Sequence, residues 1–182
     1  MAPKGLVIAV SGKPGAGKTT YAKAISQALN IRYVSIGSLF REIALKKGVD
    51  LLGFHRIAEG DAEYDLTVDR LALEEARKGN VIVEGHLAGW TLRDIADLKI
   101  FFTVPLEVGA LRISKRDGKP FEEALQEVKF REESNRRRYL KIYGYDIADL
   151  TIYDLVVNTD KWSKEFLVEA IIGMVKNLLR LA

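Results

Sequence analysis

"GLVIAVSGKPGAGKTTYAKAISQAL" occupies residues 5–29, and the reading of its middle decides the fold. Leu6-Val7-Ile8-Ala9-Val10 is a continuous apolar run, the pattern of a short strand buried on both faces. Three glycines and a proline follow between Gly12 and Gly17. From Thr19 to Leu29 the apolar residues fall at 21, 22, 25, 28 and 29, the stripe of an amphipathic helix. Gly12-x-x-x-x-Gly17-Lys18-Thr19 is therefore a phosphate-loop pattern in the setting that gives it meaning, after a strand and opening a helix.

The chemistry explains the composition. Glycines let successive backbone N–H groups turn toward an anion without a Cβ in the way. The start of the following helix adds partial positive charge. Gly12, Lys13, Pro14, Gly15, Ala16, Gly17, Lys18, Thr19 and Thr20 are expected to hold a nucleoside triphosphate. Lys18 would bridge the β- and γ-phosphates and the Thr19 hydroxyl would bind Mg²⁺.

Outward from this loop, strands and helices alternate. Arg32–Ser35, Asn80–Glu84, Leu98–Val104 and Leu155–Val157 read as further strands. Ser38 is expected to cap a helix over about 39–47. Such alternation predicts an α/β fold, a parallel sheet with helices on both faces.

Two segments depart from it. Gly48 to Arg70 is polar, is interrupted by glycines, and carries Asp61, Asp65 and Asp69 at four-residue spacing; these are expected to stud a helix with charge, the alternative being contact with the ribose or base of a bound nucleotide. Phe121 to Lys141 opens as an amphipathic helix with apolar residues at 121, 124, 125 and 128. Its stripe then fails at Arg131, Glu132 and Asn135, which predicts a helix projecting into solvent or over a ligand.

At 182 residues, 48% hydrophobic and 29% charged, the chain suits one globular domain. It has no cysteine, which excludes disulfides, thiolate metal sites and cysteine nucleophiles. The run Leu6 to Val10 is too short for a signal-peptide core or a bilayer span. Phe166 to Leu181 is broken by Glu169, Lys176 and Arg180, an amphipathic helix and not an anchor. A cytoplasmic protein is expected.

A phosphate loop serves switches, motors and kinases alike, so the rest of the chain must discriminate. No Asn-Lys-x-Asp base-reading element of a GTPase occurs. A kinase needs a second anion site and arginines that close over the transferring group. Arg41, in "SIGSLFR" after the second strand, is placed to clamp an acceptor phosphate bidentately. Arg112 and Arg116 share one helix face. Lys129 to Lys141 holds six basic residues against two acidic ones, a density that suits a polyphosphate counterion.

"SGKPGAGKTT", "SIGSLFRE", "GNVIVEGHLAGW", "VPLEVGALRI", "REESNRRRYLKIYG" and "IYDLVVNT" occur in the order found in nucleoside monophosphate kinases, and the chain resembles the archaeal-type cytidylate kinases over nearly its whole length. The resemblance implies a monophosphate-binding insert over about 37–70 and an arginine-rich lid over about 116–145. It also implies the reaction ATP + CMP → ADP + CDP with Mg²⁺, dCMP being a further acceptor. By position, Lys18, Arg112, Arg116, Arg131 and Arg136 would stabilise the transferring group. Ser38, Arg41, His86, Gly89, Arg131 and Arg137 would meet the acceptor, and Glu84 would orient the water shell of the metal held by Thr19. Ser38 and His86 depart from the family pattern, which has an acidic residue and an arginine at those places. A monomer or weak homodimer is expected.

Two other readings compete. One is a kinase for AMP, UMP or a small metabolite. The other is an ATP-binding, RNA-associated regulator whose basic segment meets a phosphate backbone.

Overall fold

Val7 to Val10 loses all contact with water because both of its faces are covered, and β1 (Val7–Gly12) lies at the centre of the sheet. The computed structural model describes residues 5–181; the outermost parts of the expected single domain over 1–182, at 1–4 and 182, lie outside the described residues. From β1 the chain enters α1 (Lys18–Leu29), β2 (Arg32–Ser35), α2 (Ile36–Lys46), α3 (Leu51–Gly60) and α4 (Glu63–Arg77). β3 (Val81–Glu84), α5 (Ala88–Thr91), β4 (Leu98–Thr103), α6 (Leu106–Asp117), α7 (Phe121–Tyr143), β5 (Leu155–Asn158) and α8 (Lys164–Leu181) complete it. All strands are parallel, in the order β2-β3-β1-β4-β5.

Alternation along each strand feeds two cores. Ile8 and Val10 of β1, with Ile100 and Phe102 of β4, meet Ala22 and Ile25 of α1 and Leu167 and Ile171 of α8. Val7, Ala9, Val81 and Val83 point the other way, onto Val68, Ala72 and Ala76 of α4 and Leu92 beyond α5. Each fully buried Ile or Phe contributes about 1.5–3 kcal/mol. An Ile8→Ala change would cost about 2–5 kcal/mol, because a site walled by a sheet and a helix collapses poorly.

The same order sets the site. β3 and β2 lie on one side of β1 and β4 on the other, so the connections diverge at the carboxyl ends and leave a crevice there. Register brings Val10, Ser35 and Glu84 level at that edge.

Three expectations change. Ser35, not Ser38, caps α2: its Oγ accepts the Ser38 N–H at 3.2 Å, and the helix starts at Ile36. The polar stretch after Gly48 forms α3 and α4, whose inner faces are buried at Phe54, Ala58, Asp65, Val68 and Asp69. Asp65 and Asp69 therefore do not stud an exposed face; only Asp61 is exposed, between the two helices. Among the described residues no helix is long and apolar enough to cross a membrane.

Candidate active site

Gly15 and Gly17 show why the loop after β1 needs glycine. Gly15 has φ +74°, and a Cβ there would sit 2.3 Å from the Gly109 carbonyl of α6. Gly17, at φ +83°, turns the chain into α1 without any side-chain cap. The first N–H groups of α1 thus open onto the crevice. Lys18 folds back over the loop, its Nζ donating to the carbonyls of Gly12 and Lys13 at 2.9 Å each. Burial pulls its ammonium down to about 8 against the pull of Glu84, and Arg131 and Arg41 push in the same direction as burial.

Arg112 of α6 braces this loop from behind. Its guanidinium donates to the Thr159 hydroxyl (2.9 Å), the Thr159 carbonyl (3.1 Å) and the Gly15 carbonyl (3.4 Å). Thr159 in turn donates to the Ala16 carbonyl at 3.0 Å.

At the end of β3, Glu84 is buried, and its Oε2 accepts hydroxyls from Thr19 (3.2 Å), Tyr33 (2.9 Å) and Ser35 (2.9 Å). These donors come from α1 and β2, so one carboxylate ties the loop to the neighbouring strand. Thr19 and Glu84 form a pair of hard oxygen groups beside the loop.

Across the crevice Arg41 is exposed, steadied by a 3.2 Å bond to the Ser38 hydroxyl. Arg131 of α7 is buried; Glu127 accepts from its Nη1 at 3.1 Å, while its Nε has no partner among the described residues. Burial lowers the Arg131 pKa, and Arg116 and Arg41 act in the same direction despite Glu127. Arg116 is held in a two-pronged bond by Asp117 (2.6 and 2.8 Å). His86 is half-buried, and its imidazole is held well below the usual range by burial and by the Lys18 charge.

The stripe of α7 does not stop at Val128; it changes chemistry. Arg131, Ser134, Asn135 and Arg138 continue the buried face and pack against α3. Arg138 bonds Asp65 of α4 at 2.7 and 3.2 Å and His55 of α3 at 3.0 Å. Beyond Val128 the helix thus does not project into solvent but turns a buried polar face inward.

These parts enclose one cavity of about 1150 Å³. Ordinary single-ligand sites run to roughly 300–1,000 Å³, so there is room for more than one small molecule. Gly15, Gly17, Lys18, Thr19, Thr20, Glu84 and Arg112 line one end, and Arg41, His86, Arg116 and Arg131 also face it. Other residues singled out from sequence lie elsewhere. Gly12 ends β1 and Ala16 is fully buried, and with Lys13 and Pro14 they are not among the residues lining the cavity. Gly89 is a packing position: its N–H donates to Ser11 Oγ at 2.9 Å, and a Cβ would sit 2.3 Å from the Tyr153 ring. Arg136 pairs with Asp146 at 3.0 Å, and Arg137 with Glu133 and Glu59.

Sequence reading passed over His55 and Phe40, and took Asp65 chiefly for helix charge and Asn135 and Arg138 for parts of a helix without an apolar face; all five line the cavity. A signal was present. Positions 131, 135 and 138 keep the three-and-four spacing of 121, 124 and 128, so a polar group continuing an apolar stripe marks an inward face.

Comparison with known proteins now decides the family. Residues 11–128 match the family model described as an AAA domain. A cytidylate kinase from Pyrobaculum islandicum is 53% identical over 154 residues, 85% of this chain and 84% of that protein. One from Ignicoccus hospitalis is 49% identical, over 91% of this chain and 96% of that protein. The chain belongs to the cytidylate kinase family. The same fold, at 17% identity, occurs in the shikimate kinase from Acinetobacter baumannii in complex with shikimate, with TM-score 0.61 over 96% of this chain and 94% of that one. Within the cytidylate kinase family, then, this chain brings the start of α1 and the polar face of α7 to one cavity.

Proposed function

We propose that the protein transfers the γ-phosphoryl group of ATP to CMP, giving ADP and CDP, and that dCMP serves as a second acceptor. One observation carries this reading. Residues of the phosphate loop and of α2, α3 and α7 line one and the same cavity of about 1150 Å³, room for two nucleotides. Family membership supplies the donor and the acceptor.

The protein's part is positioning and charge neutralisation; no protein nucleophile is needed, because the acceptor atom is already a phosphate oxygen. The open N–H groups of α1 and the Lys18 ammonium hold the triphosphate. Lys18 exchanges its two carbonyl partners for phosphate oxygens. Arg41 grips the acceptor phosphate, and Arg131, whose Nε has no partner among the described residues, and Arg116 meet charge on the group in transfer. Arg112 keeps the loop in shape. Residues 37–70 act as the acceptor-binding insert and 116–145 as the lid, whose closure keeps water from the γ-phosphoryl group.

Mg²⁺ suits the residues present. One hydroxyl and one carboxylate, 3.2 Å apart, are too few for an all-protein cage but suit a small cation that keeps its waters and takes phosphate oxygens. Thr19 would bind it and Glu84 would orient its waters, and it would neutralise charge on the phosphates. We place the reaction in the cytoplasm, in a monomer or weak homodimer.

A panel of acceptors with ATP, scored for ADP release, tests the reading. CMP, then dCMP, should stand well above AMP, UMP and shikimate. Equal ADP release with and without acceptors would reduce the protein to an ATPase.

A further inference from the structure

Arg138 uses every N–H it has. Nε donates to Asp65 (2.7 Å), Nη1 to His55 Nδ1 (3.0 Å) and Ser134 Oγ (2.9 Å), and Nη2 to Asp65 (3.2 Å) and Asn135 Oδ1 (3.0 Å). An arginine only donates, so every atom facing it must accept. That fixes two orientations no sequence could fix. The Asn135 amide turns its oxygen to Arg138, and its Nδ2 points the other way. His55 gives its Nδ1 lone pair to Arg138, so the ring proton sits on Nε2. Burial, with Arg138 and Arg131 nearby, pulls the His55 pKa down to about 3, so the ring stays neutral.

Asn135 is 1% exposed and its Nδ2 has no partner among the described residues. Both Asn135 and His55 line the cavity. One guanidinium holds both, Nη2 on Asn135 Oδ1 and Nη1 on His55 Nδ1. Each has a single kind of group left for a ligand, an N–H donor. Phe40, Val68 and Phe130 line the same cavity, apolar surfaces suited to a flat ring.

A planar ligand complementary to this pair must show two adjacent acceptors. Cytosine does, at N3 and O2; uracil has an N–H at position 3, which would face a donor. We propose that Asn135 Nδ2 and His55 Nε2 read the N3 and O2 acceptors of the acceptor nucleotide, so that cytosine is chosen over uracil by the direction of hydrogen bonding. Arg138 is a positioning residue here: it touches no base but sets the polarity of both groups. The inference rests on the CMP kinase reading and adds to it the residues that select the base.

The test starts with the unaltered protein, which avoids any question of folding. kcat/KM is measured for CMP, UMP and 3-deaza-CMP, in which N3 is replaced by C–H. Losing one hydrogen bond to a buried donor should lower 3-deaza-CMP roughly ten- to a hundredfold below CMP. In Asn135→Ala the two should become nearly equal, and Asn135→Asp, which presents an acceptor, should shift the CMP-to-UMP ratio toward UMP. If the unaltered protein uses 3-deaza-CMP as well as CMP, the base-reading proposal is wrong while phosphoryl transfer to CMP stands. If it does not phosphorylate CMP at all, both fall.

Discussion

Arg138 and Asp65, 73 residues apart in sequence, form a buried two-pronged ion pair that joins α7 to α4. It couples the wall of the cavity to a helix packed on the sheet. Removing one partner leaves the other charged, buried and alone, which costs about 3–5 kcal/mol. Asp65→Ala should lose that much in chemical denaturation, while a surface pair such as Arg70–Glu63 should contribute less than about 1 kcal/mol. A stability loss for Asp65→Ala no larger than for Glu63→Ala would remove the pair from its structural role.

Lys18 anchors the second expectation. Its ammonium bonds two loop carbonyls and no acidic side chain among the described residues, so Lys18→Ala should fold as the parent does. Turnover should drop by at least about a hundredfold, the usual effect of removing one charged group aimed at a transition state. A thermal melt and a coupled ADP assay on the same sample decide it; turnover kept within a few-fold would take Lys18 out of the chemistry.

The same lysine makes nucleotide binding depend on pH. In the free protein burial lowers its pKa to about 8 from 10.5, so it is largely neutral above pH 8. Phosphate binding requires the ammonium, so ATP binding should take up a proton near pH 8.5 and weaken as pH rises further. Calorimetry in two buffers of different ionisation enthalpy reads the uptake directly. Heats that do not depend on the buffer would contradict the buried, depressed ammonium.

Asp69 governs stability in acid. It accepts from the Thr91 hydroxyl at 3.2 Å and from Tyr143, and burial raises its pKa to about 6 from 3.8. Folding therefore takes up a proton between those values. The contribution is complete below pH 3.8 and is lost as pH rises through 6. Asp69→Asn keeps a neutral side chain throughout, so its stability relative to the parent should improve from pH 4 to pH 7. A constant difference across that range would show that Asp69 ionises as an ordinary carboxylate.

Much of this was legible from residues alone, for a physical reason. Leu6 to Val10 with Gly12 to Gly17 is a local pattern: strand, loop and helix each carry their own signature within 25 residues, so the sheet and the phosphate end could be read outright. Ser35 and Ser38 show the limit, since either can cap a helix and only the backbone after β2 decides. The far wall was hidden for a deeper reason. Arg138, Asp65, His55 and Asn135 come from three helices, and nothing along the chain says that they meet. Read singly, Asp65 looks like surface charge and Arg138 like one more basic residue in a run of them. Pairing in space reverses both readings.

Central to the account is a single cavity that holds donor and acceptor end to end. A bisubstrate compound, adenosine and cytidine joined 5′ to 5′ through five phosphates, tests this with the unaltered protein by titration calorimetry. It should bind one to one and roughly a hundredfold tighter than ATP, since the second nucleotide then docks at high effective concentration. Affinity no better than that of ATP, with CMP still binding freely beside it, would contradict the account.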